Sequence, residues 1–168
     1  MHELDRITLR YVESEDSVRL AGQKSGGAVV IVWLTRRLLD RLLPVLFKRL
    51  EKPCGDDPLA SMRESARQRF RQQAAHVTLG LESPVPASAA SEEWLASSAD
   101  VRVVRGRLRL SLKNGTKRVD LTMDELTLRR CLGIFRNVYL RAGWSLTGWP
   151  EWARPEAPRS QDGASAVH

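Results

Sequence analysis

The sequence predicts an α+β fold, in which two groups of antiparallel strands are each followed by a packed amphipathic helix and a third helix bridges them. Three observations support this prediction. Near the N-terminus, "RITLRY" alternates apolar and polar residues, as half-buried strands do. Longer stretches instead repeat their leucines every three or four residues, as helices do. Finally, Asn114-Gly115 lies between two alternating runs and is a strong hairpin signal.

The N-terminal part, residues 1–82, is predicted to contain a three-stranded meander and two helices. Two alternating runs precede a turn with paired glycines, and the β-branched run "AVVIVWL" that follows is typical of a strand buried on both faces. Thr35 comes directly after this strand, where its hydroxyl can cap a helix. Pro44 predicts a kink or a break within that helix. Its apolar stripe is Leu38, Leu39, Leu42, Leu46 and Leu50.

A second helix is predicted to begin at Asp57, which can act as its cap, with Pro58 in the first turn. Its apolar residues recur at helical spacing and form a stripe of the kind that usually faces a core. This stripe is Leu59, Met62, Ala66, Phe70, Ala74 and Val77. The segment 83–99 is rich in Ser, Ala and Pro, and we interpret it as a linker.

The C-terminal part, residues 100–153, is predicted to be a hairpin, a helix and a Trp-rich end. With Asn114-Gly115 as the loop, Leu110 faces Val119 and Arg109 faces Asp120. Gly106 predicts a bulge or bend upstream. The apolar hairpin face is Leu108, Leu110, Leu112, Val119 and Leu121, and the polar face is Arg107, Arg109, Ser111, Lys113, Arg118 and Asp120.

The last helix is predicted to start at Thr122, which forms a capping box with Glu125, and to end at Gly143. Its stripe is Leu128, Cys131, Leu132, Phe135, Tyr139 and Ala142. Residues 154–168 have the composition of a disordered tail. "VWLTRRLL" and "VDLTMDEL" place Thr35 and Thr122 at matching positions, which indicates either an internal duplication or a common way to start a helix after a strand.

The composition is that of a soluble, basic protein with a net charge of +7, most of it from Arg. A positive surface favours polyanions, although Arg enrichment also arises from codon bias without any ligand. The longest apolar run, 28–34, is too short for a membrane span, the N-terminus lacks a signal-peptide pattern, and neither Cys54 nor Cys131 belongs to a CxxC pair. We therefore expect a cytoplasmic protein with free thiols, a buried Cys131 and no membrane contact.

No motif indicates catalysis, a metal, a cofactor or a small-molecule substrate. The three histidines, His2, His76 and His168, are scattered, and "GQKSGG" lacks the spacing of a phosphate-binding loop. His76 lies near the end of the second helix, where a cation favours the helix dipole. The sequence therefore favours a protein that is not an enzyme.

Two basic surfaces suggest nucleic-acid binding. One is a helical ridge and the other is the polar face of the hairpin, and both positions would also be polar simply because they face solvent. An Arg109–Asp120 pair is expected across the hairpin. The candidate residues are Arg63, Arg67 and Arg71 on the helix, and Arg105, Arg107, Arg109, Lys113 and Arg118 on the hairpin.

Three tryptophans, Trp144, Trp149 and Trp152, lie close together after the last helix. Either their indoles close one end of the core, or they bind a partner as interface hot spots do. Our leading hypothesis is a small accessory or adaptor subunit that binds another protein or itself, with these tryptophans as candidate contacts. The alternative is a nucleic-acid-binding protein that uses the two basic surfaces.

Overall fold

The computed structural model describes residues 2–77, 83–88 and 90–156, and it confirms the α+β class. The predicted disordered tail lies outside the described residues from residue 157 onward. Two single turns of 3-10 helix occur at Glu13–Glu15 and Glu151–Ala153. The strands and helices are β1 (Leu4–Val12), β2 (Ser17–Lys24), β3 (Val29–Thr35), α1 (Arg36–Leu50), α2 (Pro58–Val77), β4 (Glu92–Leu95), β5 (Ser98–Val104), β6 (Arg107–Asn114), β7 (Lys117–Met123) and α3 (Glu125–Ala142).

The N-terminal sheet has the strand order β1-β2-β3-β4, and its first three strands form the predicted antiparallel meander. The added strand, β4, pairs parallel to β3, with Trp94 opposite Val32. Trp94 is buried. Part of the segment interpreted as a linker is therefore built into this sheet.

The second sheet has the order β5-β6-β7 and is antiparallel throughout. The sequence reading missed β5, which is joined to β6 by a two-residue turn. Arg105 and Gly106 both have positive φ (52° and 74°), as a type I′ turn requires, so Gly106 marks a hairpin turn and no bulge.

The predicted register between β6 and β7 is wrong by two residues. Leu112, and not Leu110, lies opposite Val119, because the loop is Gly115-Thr116. Within this stretch positive φ occurs at Gly115 (56°) and not at Asn114, so Asn114 stays in the strand. Since side chains alternate with a period of two, a shift of two residues leaves the predicted apolar and polar faces intact.

The helix starts were predicted with mixed success. The Thr35 hydroxyl accepts a hydrogen bond from Leu38 N at 3.2 Å and caps α1 as expected, and α1 then continues through Pro44 without a break. Thr122 does not cap α3, because it lies within β7. The cap is Asp124, whose Oδ1 accepts from Thr127 N at 2.8 Å. Gly143 ends α3 in the left-handed conformation, as predicted.

One hydrophobic core joins the two sheets with α1 and α3. α1 packs on β3 and also on β5, while α3 packs on β7 and also on β1. Each of these helices thus contacts the sheet of the other part of the chain. Both parts consist of a three-stranded meander followed by a helix; an internal duplication stays a prediction. None of the helices in the described residues has the length and apolar character that a membrane span needs.

Candidate interaction surfaces

The second helix, α2, turns its apolar stripe toward solvent. Its buried side consists of Gln68, Gln72 and Ala75, whose exposed fractions are at most 3%. Successive residues of an α-helix are rotated by about 100°, so the stripe lies on the side opposite these three residues. The large side chains of the stripe are strongly exposed: Leu59 (62%), Met62 (69%), Phe70 (72%) and Val77 (82%). Ala66 and Ala74, between them, are exposed as well.

Polar contacts with α3 hold α2 in this orientation. Arg129, on α3, is buried and donates from Nη2 to Gln68 Oε1 at 2.5 Å. Gln68 Nε2 donates to the Leu50 carbonyl at 2.6 Å, and Gln72 Nε2 donates to the Arg129 carbonyl at 2.8 Å. Burial lowers the pKa of Arg129, and its hydrogen bond to Glu125 opposes that shift. The glutamines thus place the polar side of α2 against α3.

Several buried polar atoms of α2 and α3 find no hydrogen-bond partner among the described residues. Each buried polar atom left unpaired costs about 1–3 kcal/mol, so the interface is weaker than its number of hydrogen bonds suggests. The buried atoms that find no hydrogen-bond partner among the described residues are Arg67 Nε, Gln72 Oε1 and His76 Nδ1 on α2, and Arg129 Nη1 and Arg136 Nε on α3.

A groove of about 500 Å³ runs along the exposed side of α2. On one side it is bounded by the 3-10 turn Glu151–Ala153, because Arg69 Nη2 contacts Glu151 Oε1 at 3.1 Å. The groove is lined by Ser61, Met62, Ser65, Ala66, Arg69, Phe70, Gln73 and Glu151. It therefore combines apolar side chains of the stripe with a polar margin.

The predicted basic ridge on α2 is largely paired with carboxylates. Arg67 is hydrogen-bonded to Glu64, and Arg71 contacts Glu125 at 3.1 Å. Arg63 is the member of the ridge for which no carboxylate lies within ion-pair distance among the described residues. The ridge is therefore not a row of free cations.

Acidic residues likewise pair with part of the polar hairpin face. Arg118 Nε contacts Asp120 Oδ1 at 2.8 Å, and Lys113 is bonded to Asp100. Although burial opposes the shift, hydrogen bonds from Arg118 and Ser111 lower the pKa of Asp120. The expected Arg109–Asp120 pair is wrong, because the actual register places Ser111 opposite Asp120.

The end of this sheet near the β5–β6 turn is different. Arg102 and Arg109 lie opposite each other, and Arg105 and Arg107 stand at the turn. Among the described residues, no ion pair is formed by these four arginines, which we call the turn cluster. Sequence reasoning missed Arg102, because it did not recognise β5.

The three tryptophans of the C-terminal segment are buried, with exposed fractions of 5–7%. Trp149 packs on Phe47 and Tyr139, at ring-centroid distances of 5.0 and 5.2 Å. Trp144 Nε1 donates to Asp16 Oδ1 and Trp152 Nε1 donates to Glu51 Oε1, each at 3.1 Å. The indoles close one end of the core, so a partner cannot reach them in this conformation.

Asp40 and Cys131 could in principle serve as site residues, but the Asp40 carboxylate is bonded within the protein and the Cys131 thiol is buried. A cavity of about 220 Å³ contains Asp40, but one of its carboxylate oxygens accepts from Tyr139 Oη at 2.7 Å and the other lies 3.4 Å from Arg36 Nε. Cys131 is buried as predicted, and burial raises its pKa to about 12, so its thiol stays protonated at neutral pH. Within the described residues, no group of three His, Cys, Asp or Glu side chains could hold a metal ion.

Comparison of the chain with protein-family models, with curated proteins and with solved structures gives no match.

His76 gives a test of how α2 is docked. Burial, followed by the charge of Arg136, lowers the pKa of His76, which disfavours the charged ring that the sequence suggested at this helix end. In the unfolded chain the ring binds a proton near its usual pKa of about 6.5, while in the folded chain it does so only at lower pH. The free energy of unfolding should therefore fall as the pH drops below about 6.5 and level off below the folded-state pKa.

Urea denaturation at several pH values between 5.5 and 7.5 measures this effect. His76→Gln should remove most of the decrease seen in the wild type. Equal pH dependence of the two proteins would contradict the placement of His76 against α3.

Proposed function

We propose that this protein is a non-catalytic interaction protein of the cytoplasm, and that it binds another protein chain through the exposed apolar face of α2. We call this surface the α2 face and define it by Leu59, Met62, Ala66, Phe70 and Val77. The observation that carries the proposal is the exposure of its four large side chains, each above 60%. Contiguous exposed apolar surface on a soluble protein marks interaction sites.

The energetics of the α2 face support a binding role. Full burial of one Leu, Met, Phe or Val side chain contributes about 1.5–3 kcal/mol. Association has a free-energy cost that the contacts must offset. Burial of four such side chains against a partner supplies a large part of the free energy that a stable complex then needs. Phe70 and Met62 also belong to the residue types that are enriched at interfaces.

Among the described residues, the α2 face takes no part in the hydrophobic core. The hydrophobic core is composed of the two sheets, α1, α3 and the C-terminal tryptophans, and none of the α2 face belongs to it. The fold does not require these side chains to be apolar, whereas a role in binding would. The tryptophans are correspondingly a poor choice of contact, since exposing them would open the core.

Site-specific photocrosslinking tests the proposal. p-Benzoylphenylalanine placed at Phe70 should yield a covalent adduct with another protein in the native cell, and the same group at Val103, an exposed position (56%) on β5, should not. The captured protein, once identified and purified, should bind the wild-type chain at least about tenfold more tightly than Phe70→Ser, since a central apolar anchor is worth 1.4 kcal/mol or more.

Any one of three results would contradict the proposal. It is overturned if position 70 gives no adduct, if positions 70 and 103 give the same adducts, or if the purified partner binds Phe70→Ser as tightly as the wild type.

Nucleic-acid binding is a second candidate function, and the turn cluster is the observation that favours it. Four arginines without ion-pair partners among the described residues lie at one end of a sheet. Phosphate contacts by such residues weaken steeply as the salt concentration rises.

Fluorescence anisotropy with labelled single-stranded DNA, duplex DNA and RNA tests this candidate. Binding should fall by at least about tenfold between 50 and 200 mM salt and be lost in Arg102→Glu/Arg107→Glu. Lys113→Glu/Arg118→Glu is the matched control, because those cations are already paired. Equal loss of binding in both double variants, or binding that is insensitive to salt, would contradict a site at the turn cluster.

A further inference from the structure

Strand β5 is an uncovered edge of the second sheet. Its seven residues pair with β6 on one side, and no strand among the described residues pairs with it on the other side. The pairing with β6 stays in register from Ser98 to Val104, and β5 contains no proline. A regular edge of this length presents its free N–H and C=O groups to any strand that can pair with it.

The other strand edges of the two sheets are short, interrupted or occupied. β4 has only four residues. The register of β1 shifts between Leu4 and Arg6, and β7 lies beside this strand. On β7 itself, Asp120 N donates a hydrogen bond to the His2 carbonyl at 2.8 Å. Short length, irregularity and coverage are means by which proteins prevent pairing at sheet edges, and β5 uses none of the three.

The two-residue turn after β5 determines which of its backbone groups are free. Val104 and Arg107 flank this turn, so they form a hydrogen-bonded pair. Because such pairs alternate along antiparallel strands, the N–H and C=O groups of Ala99, Val101 and Val103 point away from β6. Among the described residues, no hydrogen bond joins these groups to another segment of backbone. The side chain of Val103 is also 56% exposed.

We infer that the partner of this edge is a second copy of this chain, whose β5 pairs antiparallel about a two-fold axis at Val101. In this register Val101 lies opposite Val101 of the second copy, and Ala99 lies opposite its Val103. All of these residues have free backbone groups, so facing residues exchange hydrogen bonds, and the two β5-β6-β7 sheets become one continuous sheet. This contact is separate from the α2 face of the proposed function.

The charges on β5 favour this register over its neighbours. Asp100 and Arg102 are two residues apart and lie on the same face of the strand, and in the register about Val101 each lies opposite the other residue in the second copy. The adjacent registers that also join the free backbone groups are centred on Asp100 or on Arg102, so they place like charges opposite each other. Opposite charges stabilise a cross-strand pair, and like charges destabilise it.

The pairing also gives Arg102 an acidic neighbour. Within one chain Arg102 is exposed and lies opposite Arg109, and among the described residues neither of these arginines forms an ion pair. Asp100 accepts a hydrogen bond from Lys113 through Oδ2, which leaves Oδ1 for a second cation. The net charge of +7 opposes association only weakly, because exposed charges more than about 8 Å apart are largely screened at physiological salt.

Analytical ultracentrifugation of the full chain tests the inference. The wild type should show a reversible monomer–dimer equilibrium between about 5 and 200 µM, as expected of a small interface. Arg102→Glu and Asp100→Lys each place like charges opposite one another across the two-fold axis. Each change alone should therefore weaken dimerisation at least about tenfold. Circular dichroism verifies that both variants are folded.

An equimolar mixture of these two variants provides the sharpest measurement. In the mixed dimer, Asp100 of one chain lies opposite Arg102 of the other, and the introduced glutamate lies opposite the introduced lysine. The mixture should therefore regain dimerisation of about wild-type strength, although neither variant dimerises well by itself. A change that merely damaged the fold could not be rescued in this way.

Two further variants separate the β5 edge from the α2 face. Val103→Pro removes an N–H that points away from β6, so it should weaken dimerisation and leave the β5–β6 pairing intact. Phe70→Ser is the matched control on the α2 face and should dimerise as the wild type does. p-Benzoylphenylalanine at Val103 should capture a second copy of this chain and no other protein.

A wild-type chain that stays monomeric over this concentration range would overturn the inference. Dimerisation that neither charge reversal weakens would also overturn it, as would a mixture of the two variants that fails to dimerise. Dimerisation lost in Phe70→Ser would place the contact on α2 and overturn the β5 edge as well. The adducts formed with another protein at Phe70 are a separate measurement, so failure of the β5 dimer leaves the proposed function to be decided by them.

Discussion

The hydrophobic core shared by the two sheets is the constraint on which the rest of the structure depends. α1 and α3 each contact strands of both sheets, and Trp144, Trp149 and Trp152 cover one end. This arrangement uses the strongly apolar helices of the chain and leaves α2 to pack on the outer side of α3. That side presents Arg129, which needs hydrogen-bond partners because it is buried. The glutamines of α2 satisfy it only in part.

The exposure of the α2 face follows from this arrangement. A helix has one side to place against its neighbour, and Gln68 and Gln72 occupy that side of α2. The opposite side must then face solvent, although it carries Phe70 and Met62. The chain thus stabilises itself with one set of apolar side chains and leaves a second set accessible. Exposed apolar surface of this kind marks interaction sites, which connects the packing of the fold to the proposed function.

The sequence predicted best those elements whose pattern is set by local physics. Alternation predicted β1, β2 and both faces of the β6–β7 hairpin, a β-branched apolar run predicted β3, and helical spacing predicted all three helices. The sequence predicted the turn one residue too early, because Asn114-Gly115 matches the preferred type I′ pair whereas the loop is Gly115-Thr116. It also missed β5, whose real turn is Arg105-Gly106. The orientation of α2 could not be predicted, because periodicity shows which residues share a side and not which neighbour that side meets. The signal that was available was Gln68 and Gln72, opposite the stripe and at a spacing suited to bond another helix.

The unfolding free energy of Phe70→Ala, measured by urea denaturation, tests the central claim most directly. If the α2 face is exposed in the free protein, this change should alter the free energy of unfolding by no more than about 0.5 kcal/mol, as surface substitutions do. If instead the stripe packs into the core, as its periodicity first indicated, the same change should cost about 3–5 kcal/mol. The first result would leave Phe70 available to a partner, and the second would contradict the account of how α2 is docked.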